Sequence, residues 1–509
     1  MDIISNLIMG FGSIANADTM FTIFLGTLLG IVIGAMPGIA VTTGVAIFLP
    51  MTFHMEPIPA FGFLLGIYCG GMYGGSIPAV LINTPGTSSA AATVLDGYPM
   101  AKNGQAYKAL QMALYASLVG GLLSCIALVG ISPFLARVAL TFGPTEYFAL
   151  GLFGLTVVAS LSSGNMARGL IAACIGLFLS YIGLDPINAS TRMTFDSVSL
   201  MGGFELIPTL MGLFAVSEII MQSEQIYKQN REEKIVAQGG KCTLKDIKGS
   251  MRTIIRGSVI GILIGILPAT GGGTAAFISY NEAKRKSKNP EQFGKGTIEG
   301  VAASESANSA VVGGAMIPVL TLGIPADVVT AVMMGALMIQ GLVPGPLLIA
   351  QEAETVFGIY AALIVSNFFM FFLGMVGIRW FYKVTMIPKS VLQPIVFAMC
   401  CIGTFAVSSR GFDVFSMFVM GIIGYLLLKN KIPLPPVLLA LILGPIVETN
   451  LRRGLMTYRG RFLPFLSRPV TLVLLLLSTA SVIFSFYREF KAAKIAREGK
   501  LAARTQNER

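Results

Sequence analysis

The sequence predicts an all-α polytopic membrane protein, and three observations support this fold class. The 509 residues are 54% hydrophobic and only 12% charged, with a mean hydropathy of +0.77, whereas soluble domains carry about 25% charged residues. A spanning helix needs about 20 apolar residues, and the chain holds about 11 to 14 such segments, several of them broken by Pro or Gly. Two pairs of similar segments also recur along the chain, which predicts two internal repeats.

The repeats consist of two paired segments that follow each other in the same order. GTLLGIVIGAMPG starts at Gly26, and the similar GSVIGILIGILPA starts at Gly257. GGSIPAVLINTPG starts at Gly74, and GAMIPVLTLGIPA starts at Gly314. Glycine at every fourth residue is typical of closely packed membrane helices. Duplicated segments that each end in a Pro/Gly break are typical of secondary transporters, in which discontinuous helices of both halves meet near the bilayer midplane.

The repeats and the charge pattern divide the chain into four parts. Residues 1–223 hold the first repeat with the N-terminal membrane segments, 224–256 form a basic connection, 257–450 hold the second repeat, and 451–509 hold a last span and a basic tail. The positive-inside rule places the 224–256 connection and the C-terminal tail on the cytoplasmic side. Because both basic parts flank apolar spans, they do not indicate nucleic-acid binding.

The segment that opens the second repeat is predicted to be a re-entrant hairpin. Pro268 breaks it, Arg256 precedes it, and a basic run that starts at Lys284 follows it. If both basic flanks lie on the cytoplasmic side, the segment must enter the membrane and return.

Candidate binding residues occur in two Pro/Gly-broken stretches. In hydrocarbon, backbone groups freed by a helix break are tolerated only where they are buried in protein or line a wet cavity. The first stretch, Tyr73–Met100, therefore predicts two helical arms that meet at a loop able to hold a polar solute, with Asp96 in a later turn. Its candidate substrate-binding residues are Ser76, Asn83, Thr84, Gly86, Thr87 and Ser88.

The second stretch, Glu299–Asp327, places carboxylates in a membrane segment. Its candidate substrate-binding residues are Ser304, Ser306, Asn308, Thr321 and Pro325. An ionisable side chain at membrane depth is a functional hypothesis by default, so the candidate ligands of a coupling ion are Glu305, Asp327 and Thr321. Two structural roles stay open beside this one: Glu305 as a carboxylate at a helix N-terminus, and Asp327 as an N-cap.

Neither stretch contains Lys or Arg. An anionic solute would therefore be held by backbone amides, hydroxyls and Asn side chains, with a cation offsetting its charge. Na⁺ suits such oxygen ligands, and H⁺ is the alternative. The sequence predicts no enzyme and no cofactor, because the single histidine, His54, is predicted to lie at the surface and the six cysteines lack metal-ligand or disulfide spacing.

Together these motifs resemble the large membrane subunit of the tripartite tricarboxylate transporters. The resemblance extends to SYNEAKRKSKNPEQFGKG from Ser279, GPTEYFAL from Gly143 and GLVPGPLL from Gly341. It implies cation-gradient-driven uptake of a di- or tricarboxylate such as citrate across the bacterial inner membrane. It also implies two partners, a small four-span membrane subunit and a periplasmic solute-binding protein. A stand-alone carboxylate carrier or channel that needs no binding protein is the alternative.

Three positions depart from the pattern of that family. Ser304 stands where Pro is usual, Ser309 where a second Asn is common, and Ala326 where Gly follows the proline. We expect Ala326 to hinder a positive φ at this break, because glycine alone adopts φ > 0 without steric cost. The departures leave the particular carboxylate open.

Overall fold

A computed structural model describes residues 3–36, 40–161, 166–225, 239–268, 270–381 and 389–487. The structure is 81% helical with almost no sheet, which confirms the all-α fold class. The basic residues after Tyr487 and those between 225 and 239 lie outside the described residues. The helices, in chain order, are α1 (Ile3–Ile14), α2 (Ala17–Gly34), α3 (Val41–Phe48), α4 (Pro57–Gly74), α5 (Ser76–Leu81), α6 (Ala91–Lys102), α7 (Ala106–Ala139), α8 (Pro144–Leu161), α9 (Met166–Tyr181), α10 (Val198–Met201), α11 (Leu206–Leu210), α12 (Ser217–Gln225), α13 (Leu244–Ile266), α14 (Gly271–Lys286), α15 (Ile298–Leu322), α16 (Val328–Ile339), α17 (Pro346–Gln351), α18 (Ala353–Phe381), α19 (Lys389–Ser408), α20 (Gly411–Lys429), α21 (Leu434–Thr457), α22 (Leu463–Ser467) and α23 (Pro469–Tyr487).

Shorter elements join some of these helices. One is a two-stranded antiparallel ribbon, in which Gly183 pairs with Arg192 and Leu184 with Thr191. The others are the 3₁₀ turns Leu49–Thr52, Ser88–Ala90 and Pro290–Gln292 and the π-helical segment Met211–Val216, which joins α11 to α12.

Within the described part of the chain, nine helical segments are long and apolar enough to cross a membrane, and five shorter apolar helices accompany them. The sequence predicts about 11 to 14 membrane segments. This number exceeds the nine long helices and does not exceed the total obtained when the five shorter apolar helices are added. The chain forms two compact units, one of residues Met1–Leu140 with Glu205–Tyr425 and one of Thr141–Phe204 with Leu426–Arg509. The first unit contains both Pro/Gly-broken stretches. The four-part division of the sequence stays a prediction.

Glycine stripes bring α2 against α4 and α13 against α15 at backbone contact distance. A Cβ on Gly30 would clash with the carbonyl oxygen of Ile67, and one on Gly261 would clash with that of Ala307. The first pair of repeat segments aligns Gly30 with Gly261. The alignment of the second pair, extended toward the N-terminus, relates Ile67 to Ala307. The neighbouring glycines make matching contacts: Gly26 with Phe63, Gly34 with Gly71, Gly257 with Ala303, and Gly265 with Val311. The packing is what a duplication would produce, although the duplication itself stays a prediction.

The helix breaks lie where the prolines predict them. Helix α5 ends before Asn83, which has φ 56°, and α15 ends at Gly323, which has φ 67°. Asn83 and Gly323 are aligned by the repeat, and each ends its helix in the left-handed conformation that Gly and Asn adopt most readily. Two helical arms thus meet at a loop in each stretch.

The structure agrees with the expectation for Ala326. Ala326 does not adopt a positive φ, and it packs in a buried cluster with Ala275, Ala307 and other small residues. The corresponding Gly86 also lacks a positive φ, and its Cβ would lie 2.9 Å from the Cα of Gly75 and would overlap the carbonyl of Gly34. Glycine is therefore needed in the first loop for close approach, a constraint that the second loop does not share.

Helices α13 and α14 form a hairpin that turns around Pro268. A Cβ on Gly239, before α13, would lie 3.0 Å from the carbonyl carbon of Gly104. One on Gly296, after α14, would lie 3.1 Å from the backbone nitrogen of Met100. The segments that flank the hairpin on its two sides therefore both contact the chain around the C-terminal end of α6, as a segment that enters and returns requires. Its position relative to a membrane stays a prediction.

In the second unit, Asp185 anchors the loop between the two strands of the ribbon. It accepts hydrogen bonds from the backbone N–H groups of Ile187 (2.7 Å) and Asn188 (2.9 Å), and from the guanidinium groups of Arg452 (2.7 Å) and Arg192. The N–H of Asn188, followed by Arg452, Ile187 and Arg192, holds the pKa of Asp185 well below its usual range, although burial alone would raise it.

The depressed pKa of Asp185 predicts a pH-dependent stability. Because its folded-state pKa lies below the unfolded value of about 3.9, its contribution is present above that pH and is lost as the pH falls through the folded-state pKa. We expect Asp185→Asn to lower the unfolding temperature at neutral pH and to differ less and less from the wild type in acid. Asp196→Asn is the matched control, because Asp196 is an exposed acid just after the second strand of the ribbon. An equal difference at all pH values in thermal unfolding scans would contradict this prediction.

Candidate functional site

The two Pro/Gly-broken stretches meet at the N-terminus of α14. A Cβ on Gly273 would lie 3.3 Å from the carbonyl oxygen of Ser88, and one on Gly272 would lie 2.8 Å from Oδ1 of Asn308. The amide Nδ2 of Asn308 donates a hydrogen bond to the carbonyl of Met72, 3.1 Å away. Ser88 and Asn308, predicted from different stretches, therefore lie against the same glycine pair.

Asn308 has an unsatisfied acceptor at this point. Its side chain is fully buried, and Oδ1 has no hydrogen-bond partner. Buried polar atoms almost always have a partner, because an unpaired one loses its water without compensation. Ser89 lies beside it, with its hydroxyl 2.9 Å from that of Thr87 and 3.8 Å from the sulfur of Met72. Oδ1 is thus placed to accept from a hydroxyl or to ligate a cation.

The N-terminus of α14 itself is bare backbone. The helix begins with three glycines, Gly271–Gly273, and its N-cap residue Thr270 makes no side-chain capping hydrogen bond. The first four N–H groups of a helix lack partners within the helix, and the helix dipole adds positive potential there. Such a terminus binds anions readily. Together with Asn308 it offers donors for a carboxylate and one acceptor beside them.

A second polar cluster surrounds Glu305 on α15. Glu305 is fully buried, and its Oε1 is hydrogen-bonded to the hydroxyl of Thr93 from α6. Its Oε2 lies 3.5 Å from the hydroxyl of Ser117 from α7, and the hydroxyl of Thr93 lies 2.9 Å from that of Ser304. Because α15 begins at Ile298, two turns earlier, Glu305 is not a helix N-terminal carboxylate.

Asp327 is the N-cap of α16. Its side chain accepts from the backbone N–H of Thr330 at 2.8 Å, which confirms the structural role that the sequence left open. Its other oxygen accepts from the hydroxyl of Tyr68 on α4, 2.7 Å away. Tyr68 was not predicted from the sequence, although the repeat that aligns Gly74 with Gly314 also aligns Tyr68 with Asn308. Ion binding by Asp327 stays a prediction.

One polar row contains Asp327, Tyr68, Met72, Asn308 and Glu305, from α4 and the second stretch. Tyr68 and Met72 lie one turn apart on α4, and Glu305 and Asn308 lie three residues apart on α15, so each pair shares a helix face. The hydrogen bond from Tyr68 to Asp327 joins α4 to the N-cap of α16, and that from Asn308 to Met72 joins α15 to α4. The row therefore runs from Asp327 to Glu305, with Asn308 between them.

Three candidate hydroxyls donate to nearby backbone carbonyls of the same chain segment. Those of Ser76, Ser306 and Thr321 are all buried, and each bonds to a carbonyl about one turn earlier. The acceptors are Tyr73 at 2.7 Å, Ala303 at 3.3 Å and Ile317 at 2.7 Å, respectively. Thr321 makes no contact with the Glu305 cluster, and a role for these three in binding stays a prediction.

The remaining candidates line the two loops. Asn83 is exposed, Thr84 donates to the carbonyl of Ile82 at 3.2 Å, and Gly86 and Pro325 are buried in the packing around the breaks. None of these four is joined by a hydrogen bond to the row. Their part in binding also stays a prediction.

Asp96 has a role that the sequence did not reveal. The predicted turn is wrong, because Asp96 lies within α6, fully buried. Its Oδ1 accepts from the backbone N–H groups of Gly294 (2.9 Å), Gly296 (2.9 Å) and Thr297 (3.0 Å), and Oδ2 accepts from the hydroxyl of Tyr280 (2.9 Å). Asp96 therefore fastens the loop after α14 to α6. The one acidic residue in an otherwise uncharged stretch was its only signal.

A family model and two known relatives match this chain. The model of the tripartite tricarboxylate transporter TctA family matches residues 20–439. The chain belongs to this family. It is 37% identical over 495 residues to the uncharacterized 52.8 kDa protein in the TAR-I ttuC' 3'region of Agrobacterium vitis, which covers 97% of this chain and 98% of the relative. It is 38% identical over 234 residues to the uncharacterized protein in the TAR-II ttuC' 3'region of the same organism, covering 46% of this chain and 97% of that relative. No solved structure matches.

Membership in the TctA family gives the polar row its context. The family is a family of transporters, so this chain is a multi-pass membrane component of tricarboxylate transport, and the family name denotes a system with further subunits. The resemblance inferred from the motifs is confirmed. Among the residues that the structure describes, no group of three or more His, Cys, Asp or Glu side chains could hold a metal ion.

Proposed function

We propose that this TctA-family chain performs secondary active uptake of a citrate-like di- or tricarboxylate across the bacterial inner membrane. A Na⁺ or H⁺ gradient drives uptake, a periplasmic binding protein delivers the substrate, and a small four-span subunit completes the membrane part. The observation that carries the proposal is the meeting of the two broken stretches at the N-terminus of α14. The C-terminal tail and the 224–256 connection face the cytoplasm in this proposal.

The substrate binds through backbone rather than through basic side chains. One carboxylate accepts from the free N–H groups of Gly271–Gly273, beside Ser88, since the cores of both stretches lack Lys and Arg. The unsatisfied Oδ1 of Asn308 accepts from a hydroxyl of the substrate. A buried polyanion needs compensating positive charge, which the co-transported cation supplies.

Alternating access follows from the discontinuous helices. The α13–α14 hairpin carries one side of the site at its tip, and the Ser88–Ala90 turn before α6 carries the other together with α15. A movement of the hairpin relative to α6 and α15 would open the site to one side. Helix α2 with α3 is the sequence-repeat counterpart of the hairpin, and we assign it the corresponding role in the first half.

Substrate protection of a single cysteine tests the site. In a variant without the six native cysteines, Ser88→Cys is exposed to aqueous thiol reagents, and we expect saturating citrate or a transported dicarboxylate to slow its labelling. Asn289→Cys is the control, because it lies past the far end of α14, about 24 Å along the helix from Gly271. Labelling of Ser88→Cys that no substrate changes, with uptake intact, would show that the site lies elsewhere.

A further inference from the structure

We propose that Glu305 carries the proton that is coupled to transport, with Thr93 and Ser304 as the hydroxyl chain that serves both of its charge states. The inference rests on the proposed function and names the coupling device of that site. Proton uptake converts the carboxylate to a carboxylic acid: one O–H bond forms at Oε1, and no other covalent bond changes.

The hydroxyl chain can run in two directions. When Glu305 is ionised, Ser304 donates to Thr93, and Thr93 donates to Oε1 of Glu305. When Glu305 is protonated, it donates to Thr93, Thr93 donates to Ser304, and Ser304 donates to the carbonyl of Gly300, 3.0 Å away. Thr93 donates once and accepts once in either direction, and Ser304 donates once in each. Both charge states are therefore satisfied without movement of a heavy atom.

The surroundings supply no cation to hold Glu305 ionised. Within the described ranges no Lys or Arg forms an ion pair with it, and Arg256 on the neighbouring α13 is exposed. Helix α7 contributes the hydroxyl of Ser117, and α4 contributes Tyr73, whose buried hydroxyl has no partner. The nearest acid, Asp96 on α6, is occupied by three backbone N–H groups and Tyr280 on α14. A buried carboxylate in such a place favours its neutral form.

The oxygen spacing fits a proton rather than a metal cation. The hydroxyl oxygens of Thr93 and Ser304 are 2.9 Å apart, and that of Thr93 is in hydrogen-bond contact with Glu305. Two oxygens that ligate one hard cation at about 2.4 Å and at right angles lie about 3.4 Å apart. The cluster is therefore closed around hydrogen bonds.

The position of Glu305 couples its charge to the substrate. Asn308 lies three residues further on α15, about 4.5 Å along the axis and on the same face. An ionised Glu305 would repel a carboxylate bound beside Asn308, whereas a protonated Glu305 would not. Substrate and proton therefore bind together. Thr93 and Glu305 come from different broken stretches, so a separation of α6 from α15 exposes the acid and releases the proton.

The test separates driven uptake from exchange. In proteoliposomes that hold the complete transport system, we expect Glu305→Gln to lose about tenfold or more of pH-gradient-driven citrate accumulation while it retains citrate–citrate exchange. That exchange becomes insensitive to pH. Thr93→Val weakens driven uptake and Thr93→Ser restores it, whereas Glu354→Gln, at an exposed acid, changes neither reaction. Full accumulation by Glu305→Gln would overturn the inference, and so would wild-type uptake that responds to a Na⁺ gradient and not to pH.

A spectroscopic readout does not depend on transport. Infrared difference titration of the purified wild-type protein should show the C=O band of a carboxylic acid that loses its proton as the pH rises, and Glu305→Gln should lack this band. A band that persists in Glu305→Gln would overturn the inference. Wild-type liposomes that move no carboxylate under any gradient would overturn the proposed function and this inference together, whereas wild-type uptake that Glu305→Gln shares would overturn this inference alone.

Discussion

Asp96→Ala is expected to destabilise the protein by about 2–5 kcal/mol and to reduce uptake about tenfold or more. The substitution leaves the N–H groups of Gly294, Gly296 and Thr297 without their acceptor and removes the partner of Tyr280. The loop after α14 then separates from α6. Because this loop positions the α13–α14 hairpin, the tip of α14 loses its place opposite Asn308.

Hydrogen exchange measures this effect at the atoms involved. The three loop amides should exchange faster in Asp96→Ala, and Asp96→Asn should give an intermediate rate, since its carbonyl oxygen still accepts hydrogen bonds without the charge. Glu291→Ala, an exposed acid in the same loop, is the matched control and should leave exchange, thermal stability and uptake unchanged. Unchanged exchange of the loop amides in Asp96→Ala would contradict the role assigned to Asp96.

Gly261→Ala is expected to lower the free energy of unfolding by about 1–3 kcal/mol or more, since this is the usual range for overpacking. The new methyl group would overlap the carbonyl of Ala307 and lie 2.8 Å from the Cβ of Ala310, so α13 and α15 must move apart. Gly30→Ala makes the equivalent clash with Ile67 in the first half and should have an effect of the same sign and similar size.

Gly130→Ala is the matched control for these glycine variants. Gly130 lies in α7 with nothing within 4 Å of the added methyl group, so alanine should stabilise the helix by about 0.5–1 kcal/mol. Thermal unfolding of the purified variants measures all three. If Gly261→Ala were as stable as Gly130→Ala, the direct backbone contact of α13 with α15 would be incorrect.

Features that depend on local chemistry could be predicted from the sequence. Low charge and high hydropathy were enough for the fold class, since a long apolar chain must place helices in a bilayer. The break near Pro85 and the N-cap at Asp327 follow from backbone preferences of a few neighbouring residues. The glycine stripe at Gly26, Gly30 and Gly34 is likewise a local pattern with a packing role.

Features that depend on distant partners could not be predicted. The sequence predicted a turn at Asp96. Its true role was hidden because its partners lie 184 to 201 residues further along the chain. Glu305 is joined to Thr93 across 212 residues, and Tyr68 to Asp327 across 259 residues. A single sequence holds no direct record of such pairs, although the alignment of the two repeats relates Tyr68 to Asn308 and so provided one signal.

The reason for glycine at position 86 could not be predicted either. Gly86 and Ala326 are aligned by the repeat, and glycine suggested a conformational requirement, whereas the structure shows a steric one that arises from Gly34 and Gly75 in the first half alone. Conformational and steric needs for glycine look alike in sequence. They differ only once the neighbouring backbone is in place.

Gradient-driven uptake into proteoliposomes tests carboxylate transport by this chain most directly. The complete system is reconstituted, and accumulation of radiolabelled citrate and of a dicarboxylate panel is followed with and without the binding protein, under a pH gradient or a Na⁺ gradient. We predict accumulation of one carboxylate that requires both the binding protein and the pH gradient. Accumulation without the binding protein would indicate a stand-alone carrier, and flux without any gradient a channel; either result would contradict the proposed function.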